Sequence, residues 1–134
     1  MMSKMDFQRT LLWLNCGLFV VFGLGFIFAP APLSTLITGA APATSSGLID
    51  LRATYGGMGL GLGFIFGFLA KKAELARLGA HSILVVMVSL AGARLLGMGL
   101  DGAPNFFMLV LLGAELGMAG VAVLALRGVA RENS

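Results

Sequence analysis

The chain has 134 residues, of which 58% are hydrophobic and 11% charged, and its mean hydropathy is +0.98. Soluble domains are about 45–50% apolar and about 25% charged, so a globule in water would leave this apolar surplus exposed and a single membrane domain is expected instead. The net charge of +3 does not indicate nucleic acid, because the basic residues flank apolar runs and form no stripe with interleaved aromatics.

Residues 1–10 read as a cytoplasmic N-terminal segment, and residues 11–29 as a first span without a charge. A cleavable signal sequence is the alternative for that run, with Lys4 and Arg9 ahead of it. The apolar region is too long for one, and Pro32 would follow the cut. Cys16, the one cysteine, lies inside the run as a packing residue and offers no disulfide framework. Residues 30–45 read as a loop whose short apolar patch (Leu33, Leu36, Ile37) suits the lipid surface. A second span covers about 46–70, with Ser45 or Ser46 as cap and Lys71-Lys72 at its end. A third covers about 79–99 and contains Arg94. The fourth covers about 104–126 with Glu115 inside, Pro104 suiting its first turn, and residues 128–134 form a tail.

Nothing alternates with period two, so strands are excluded. The expected fold is all-α: an integral membrane four-helix bundle of antiparallel up-down hairpins in one domain, residues 11–127. Lys4, Arg9, Lys71, Lys72, Arg77, Arg127 and Arg131 then fall on one side, while the opposite loops near 30–45 and 100–104 hold no Lys or Arg. Both termini are therefore expected in the cytoplasm, with the bacterial inner membrane as location. Trp13 and Tyr55 fall near the two interfaces, as belt aromatics do. The string GLGFIF occurs at 23–28 and again at 61–66, a hint of two related halves.

Helices in lipid associate by close packing, which small residues permit. In the second span Gly56, Gly59, Gly63 and Gly67 share the face of Arg52, and Gly57 and Gly61 form a neighbouring rail below Asp50. The third span carries Gly92, Gly97 and Gly99, and the fourth Gly113, Gly117 and Gly120. These read as helix-packing positions. A phosphate loop is excluded, since no strand precedes the glycines and no Lys-Ser/Thr follows them.

An ionised group at mid-membrane costs about 2.5–3.5 kcal/mol on insertion scales, so the internal charges need partners. At about 1.5 Å per helical residue, Glu115 lies roughly 16 Å and Arg94 roughly 21 Å from the cytoplasmic side, with Arg52, Asp50 and Asp101 near the outer boundary. The expectation is an interior cluster of Asp50, Arg52, Tyr55, Arg94, Asp101 and Glu115, open outward and closed below Glu115. Such pairs can serve only to fix which helix meets which. They can equally hold a polar or anionic head group or pass a proton, and Arg suits planar anions. His81 reads as a solvated surface residue, and the scattered methionines as core filler without a metal array.

The block DLRATYGGMGLG (50–61), the later ARLLGMGLDGAP (93–104) and the mid-span Glu115 resemble a bacterial family of small four-span membrane proteins, domain of unknown function 4345. The likeness covers about residues 10–127, and Arg52, Tyr55, Gly56 and Gly57 are its most specific part. It implies a four-helix membrane protein and assigns no activity, cofactor or catalytic residue.

The expected function is structural or accessory, the buried charges organising the bundle. The alternative is binding or transport of a small anion, lipid head group or proton at the outward cluster. An enzyme ranks last: the sequence holds no HExxH, no Ser-His-Asp set and no Cys-His pair. No catalytic residue, metal or cofactor is expected. The expected partners are the lipid bilayer and a homo-oligomer or larger membrane complex, with no nucleic acid.

Overall fold

A computed structural model describes residues 2–128. The tail from residue 129, including Arg131, lies outside the described residues. Helix α1 spans Lys4–Phe28. It starts at Lys4 rather than near residue 11 because Ser3 caps it. The Ser3 Oγ accepts from the Asp6 N–H at 3.1 Å and donates to the Asp6 carboxylate at 2.7 Å. It stops at Phe28 because Pro30 disfavours helical geometry at Ala29.

The expected loop 30–45 is partly helical. Pro30 sits in the first turn of α2, Pro30–Thr38, which Gly39 closes at φ 91°. Helix α3, Ser45–Leu51, is capped by Thr44, one residue ahead of the expected serines. It runs into a π-helical stretch, Arg52–Gly57, and then into α4, Met58–Lys71. A 3-10 turn at Ala73–Leu75 leads to α5, Ala76–Asp101. Helix α6, Phe106–Arg127, is capped by Asn105, whose Oδ1 accepts from the Met108 N–H at 2.9 Å; Pro104 therefore stands ahead of the helix, not inside its first turn.

No strand occurs among the described residues. Four helical stretches are long and apolar enough to cross a membrane: Lys4–Phe28, Ser45–Lys71, Ala73–Asp101 and Phe106–Arg127. Their large exposed apolar side chains, such as Val21, Phe28, Phe68, Val85 and Leu124, suit lipid and not water.

The helices associate mainly as two pairs, α1 with α4 and α5 with α6, joined chiefly where α1 meets α5. The dry core lies toward the end near the chain termini. Leu11 and Leu12 of α1, Phe66 and Ala70 of α4, Ile83 and Met87 of α5, and Ala119, Ala122 and Ala125 of α6 fill it. Gly79 of α5 makes room for Leu12, since an added Cβ would stand 2.5 Å from the Leu12 Cδ1.

Glycines bring α1 and α4 into backbone contact. Gly56 meets Ile27, Gly59 meets Gly23, Gly63 meets Val20 and Cys16, and Gly67 meets Cys16. Gly23, the tightest partner on α1, was not among the expected packing positions. Eight expected packing positions do not close onto another helix, Gly61, Gly92, Gly97, Gly99 and Gly120 among them. Around Gly113 and Gly117 an added Cβ would meet nothing within 4 Å, and at Gly57 only the Arg52 carbonyl at 3.9 Å. The reason is phase. The inward stripe of α6 is Glu115, Ala119, Ala122 and Ala125, and positions two away from Glu115 point roughly 200° round the helix. The two GLGFIF copies also bury different residues: Phe26 is buried where Phe64 is exposed, and Phe28 is exposed where Phe66 is buried.

A Cβ at Gly23 would stand 2.7 Å from the Leu60 backbone nitrogen and 2.8 Å from the Gly56 carbonyl oxygen, neither of which can step aside. Gly23→Ala is therefore expected to destabilise the folded protein in detergent by about 1–3 kcal/mol, while Gly113→Ala changes stability by less than about 0.5 kcal/mol in the same unfolding assay.

Candidate functional site

The internal charges divide into two groups with different roles. Arg94 of α5 and Glu115 of α6 form a two-pronged ion pair: Nε donates to Oε2 at 3.0 Å and Nη2 donates to Oε1 at 2.6 Å. This planar fork is the strongest geometry available to the two side chains. The carboxylate side chain is 9% exposed and the guanidinium side chain 20%. The Arg94 Nη1 donates to the Met108 sulfur at 3.1 Å, one prong of Arg94 thus resting on a weak acceptor.

Arg52 stands apart from this pair. Its Nη1 donates to the carbonyl of Ile27, in the last turn of α1. There it satisfies a backbone oxygen that the helix itself leaves unpaired and places positive charge at the negative end of the helix dipole. The π-helical stretch sets Arg52 and Tyr55 against α1. Tyr55 stacks on Phe26 with ring centroids 5.0 Å apart and lies 6.4 Å from Phe22. It is half-exposed. The Asp50 and Asp101 carboxylates are exposed and make no ion pair or hydrogen bond among the described residues. The expected six-residue cluster is thus one closed pair, Arg94–Glu115, with Tyr55 stacked on α1, Arg52 serving as a cap, and Asp50 and Asp101 at the surface. The expected contact of Asp101 with Arg52 does not form; the Arg52 Nη1 donates to the Ile27 carbonyl instead.

Capping by side chains recurs, and sequence reading missed it. Gln8, 4% exposed, donates through Nε2 to the Ala125 carbonyl at 3.0 Å, closing the end of α6. Arg9 donates through Nε to the Ala70 carbonyl at 2.9 Å, closing α4. Asn105 donates through Nδ2 to the Ile37 carbonyl at 2.9 Å, closing α2. Asn15, fully buried, donates to the Leu11 carbonyl at 2.9 Å and to the Met118 sulfur at 3.3 Å, while its own Oδ1 has no partner. A signal for Gln8 and Arg9 existed: long polar side chains within one turn of an apolar run.

A cleft of about 420 Å³ opens between the last turn of α5, the start of α6 and the end of α2, with Thr38, Arg94, Asp101, Asn105 and Met108 in its wall. Glu115 is not part of that wall, so the cleft reaches the ion pair from the arginine side only. A larger groove of about 720 Å³ follows α1 past Trp13, Gly17, Val21 and Gly25 to Leu33; its wall is apolar and offers no chemistry. No group of three metal-ligating side chains occurs among the described residues.

Residues 7–126 match the family described as Domain of unknown function (DUF4345). The chain belongs to that family. No curated protein and no solved structure matches it. Membership agrees with the four membrane-length helices and attaches no reaction to Arg94, Glu115 or the RATYGG stretch.

If Arg52 is a cap, its removal leaves one carbonyl of α1 without a partner. Arg52→Met is expected to lower stability by about 1 kcal/mol, whereas Asp50→Asn stays within about 0.5 kcal/mol, read as unfolding midpoints of the purified proteins.

Proposed function

We propose that this chain is a structural or accessory protein of the bacterial inner membrane, in which the Arg94–Glu115 fork fixes α5 against α6. The observation that carries this reading is the fork itself. Both carboxylate oxygens are taken by one guanidinium, and the pair has no net charge to offer a solute.

The same reading makes the spans antiparallel with both termini cytoplasmic. Two observations support it. Along the α1–α4 seam, residues 27, 23, 20 and 16 meet 56, 59, 63 and 67 in turn, so one helix descends as the other rises. Contacts of Gln8 with Ala125, Arg9 with Ala70 and Leu12 with Gly79 gather Lys4, Arg9, Lys71, Lys72, Arg77 and Arg127 toward one end. Basic residues mark the cytoplasmic side. The outward faces of Gly113 and Gly117 leave room for a second copy or a partner helix, which fits an accessory role within a larger membrane complex. No enzymatic step belongs to this reading.

Small-anion binding or proton transfer ranks second. Its support is the place of Arg94 in the cleft wall; against it stands the neutralisation of Arg94 by Glu115.

A double-mutant cycle separates the two. For a clasp, Glu115→Leu and Arg94→Met should each cost about 2–3 kcal/mol, somewhat below a fully buried pair because the arginine keeps some exposure. The double variant Arg94→Met/Glu115→Leu should recover most of that loss. Proteoliposomes of the unaltered protein should move chloride, phosphate and protons no faster than empty liposomes. Flux that vanishes in a stably folded Glu115→Gln variant would overturn the structural reading.

A further inference from the structure

We infer that the cleft at the end of α5 is a binding site for a primary ammonium group. The inference rests on the same ion pair as the clasp reading, since Glu115 must neutralise Arg94, but its test reads lipid binding where that of the clasp reads stability, so the two can fail separately.

Three observations converge on positive charge. First, Arg94 and Asp101 are the charged side chains in the cleft wall, and Glu115 already cancels Arg94 from behind. The wall is therefore left with the charge of Asp101, whose carboxylate makes no ion pair or hydrogen bond among the described residues. Second, Asp101 is the last residue of α5, where the unpaired carbonyls of the final turn already make the helix end negative. Side chains close the ends of α1, α2, α4 and α6. The end of α5 has no capping hydrogen bond among the described residues and no basic residue in its last turn. It carries an acid instead, which is the wrong sign for its own stability and the right sign for a bound cation. Third, the space beside the carboxylate is kept open. Gly97 lines the cleft one turn below Asp101, and a Cβ there would stand 3.7 Å from Asp101 Oδ2 with no other atom within 4 Å.

The chemistry selects an ammonium over a metal ion. A single carboxylate beside carbonyls and the Thr38 hydroxyl is too few hard ligands for a divalent cation. It suits a group with three N–H donors, which takes one carboxylate and neutral oxygens together. The cleft lies at the end of two spans, at the level of lipid head groups under the topology proposed above. The ammonium can therefore belong to an ethanolamine phospholipid or to a free amine, and the two sources share one recognition.

The test is native mass spectrometry of the full chain in detergent with phosphatidylethanolamine, phosphatidylcholine or phosphatidylglycerol, all with the same acyl chains. Phosphatidylethanolamine should bind roughly tenfold more tightly than the other two, the worth of a charge-assisted hydrogen bond. Asp101→Asn should bring the three lipids to equal affinity, and Asp101→Glu should restore part of the preference. Gly97→Leu, which fills the space and leaves the charge, should remove it as well. Displacement of the lipid by free ethanolamine would place soluble amines among the ligands; preference without displacement would assign the site to the lipid. Equal binding of the three lipids by the unaltered protein, with no ethanolamine binding, overturns the inference. So does a preference that survives Asp101→Asn.

Discussion

An α-helix leaves its last carbonyls without partners of its own, and this constraint explains where Gln8, Arg9, Arg52 and Asn105 sit. A backbone group left unpaired away from water costs free energy, and four of the helix ends are closed from within the protein. Gln8, Arg9, Arg52 and Asn105 each reach from one helix to a terminal carbonyl of another, at α6, α4, α1 and α2 respectively. The four bonds tie the order of the chain to its packing, because a cap works only if the right helix end lies beside it. Arg52 looked like a candidate for chemistry; its hydrogen bond makes it part of this scheme.

Within the spans the two helix pairs use different means of attachment. On α1 and α4 the backbones approach through Gly23, Gly56, Gly59 and Gly63, and dispersion across that seam does the holding. On α5 and α6 the glycines face away, and Arg94 with Glu115 provides a directional bond in their place. An ion pair satisfied on both prongs specifies one register between two helices, which a smooth apolar stripe does not.

Much of this was legible in the sequence. Length and apolar composition gave four helices, and the shared face of Arg52, Gly56, Gly59, Gly63 and Gly67 is the face that α4 and its lead-in turn toward α1. Depth counting also put Arg94 beside Glu115. What was not legible depended on partners. Whether Gly113 and Gly117 pack is decided by which side of α6 turns inward, and several faces of that helix carry small residues. The helix in 30–38 was hidden because prolines at 30 and 32 read as breakers, although a proline in a first turn favours a helix. The carbonyl partner of Arg52 was not legible because charge invites pairing with an acid, and a backbone carbonyl leaves no mark in a sequence.

The distribution of the core has a mechanical consequence. Leu12, Phe66, Ala70, Ile83, Ala122 and Ala125 bind the helices together near the chain termini, whereas Tyr55, Leu95, Leu96, Leu100 and Phe106 are exposed toward the other end. The two pairs are thus arranged as jaws joined by packing at one end and, at the other, by the hydrogen bond from Asn105 to the Ile37 carbonyl. Spreading them at the far end would separate few buried side chains, so packing opposes a change in the angle between them least at that end. Thr38 and Asn105 belong to that far end, and any tilt of one jaw would alter the width of the cleft between them.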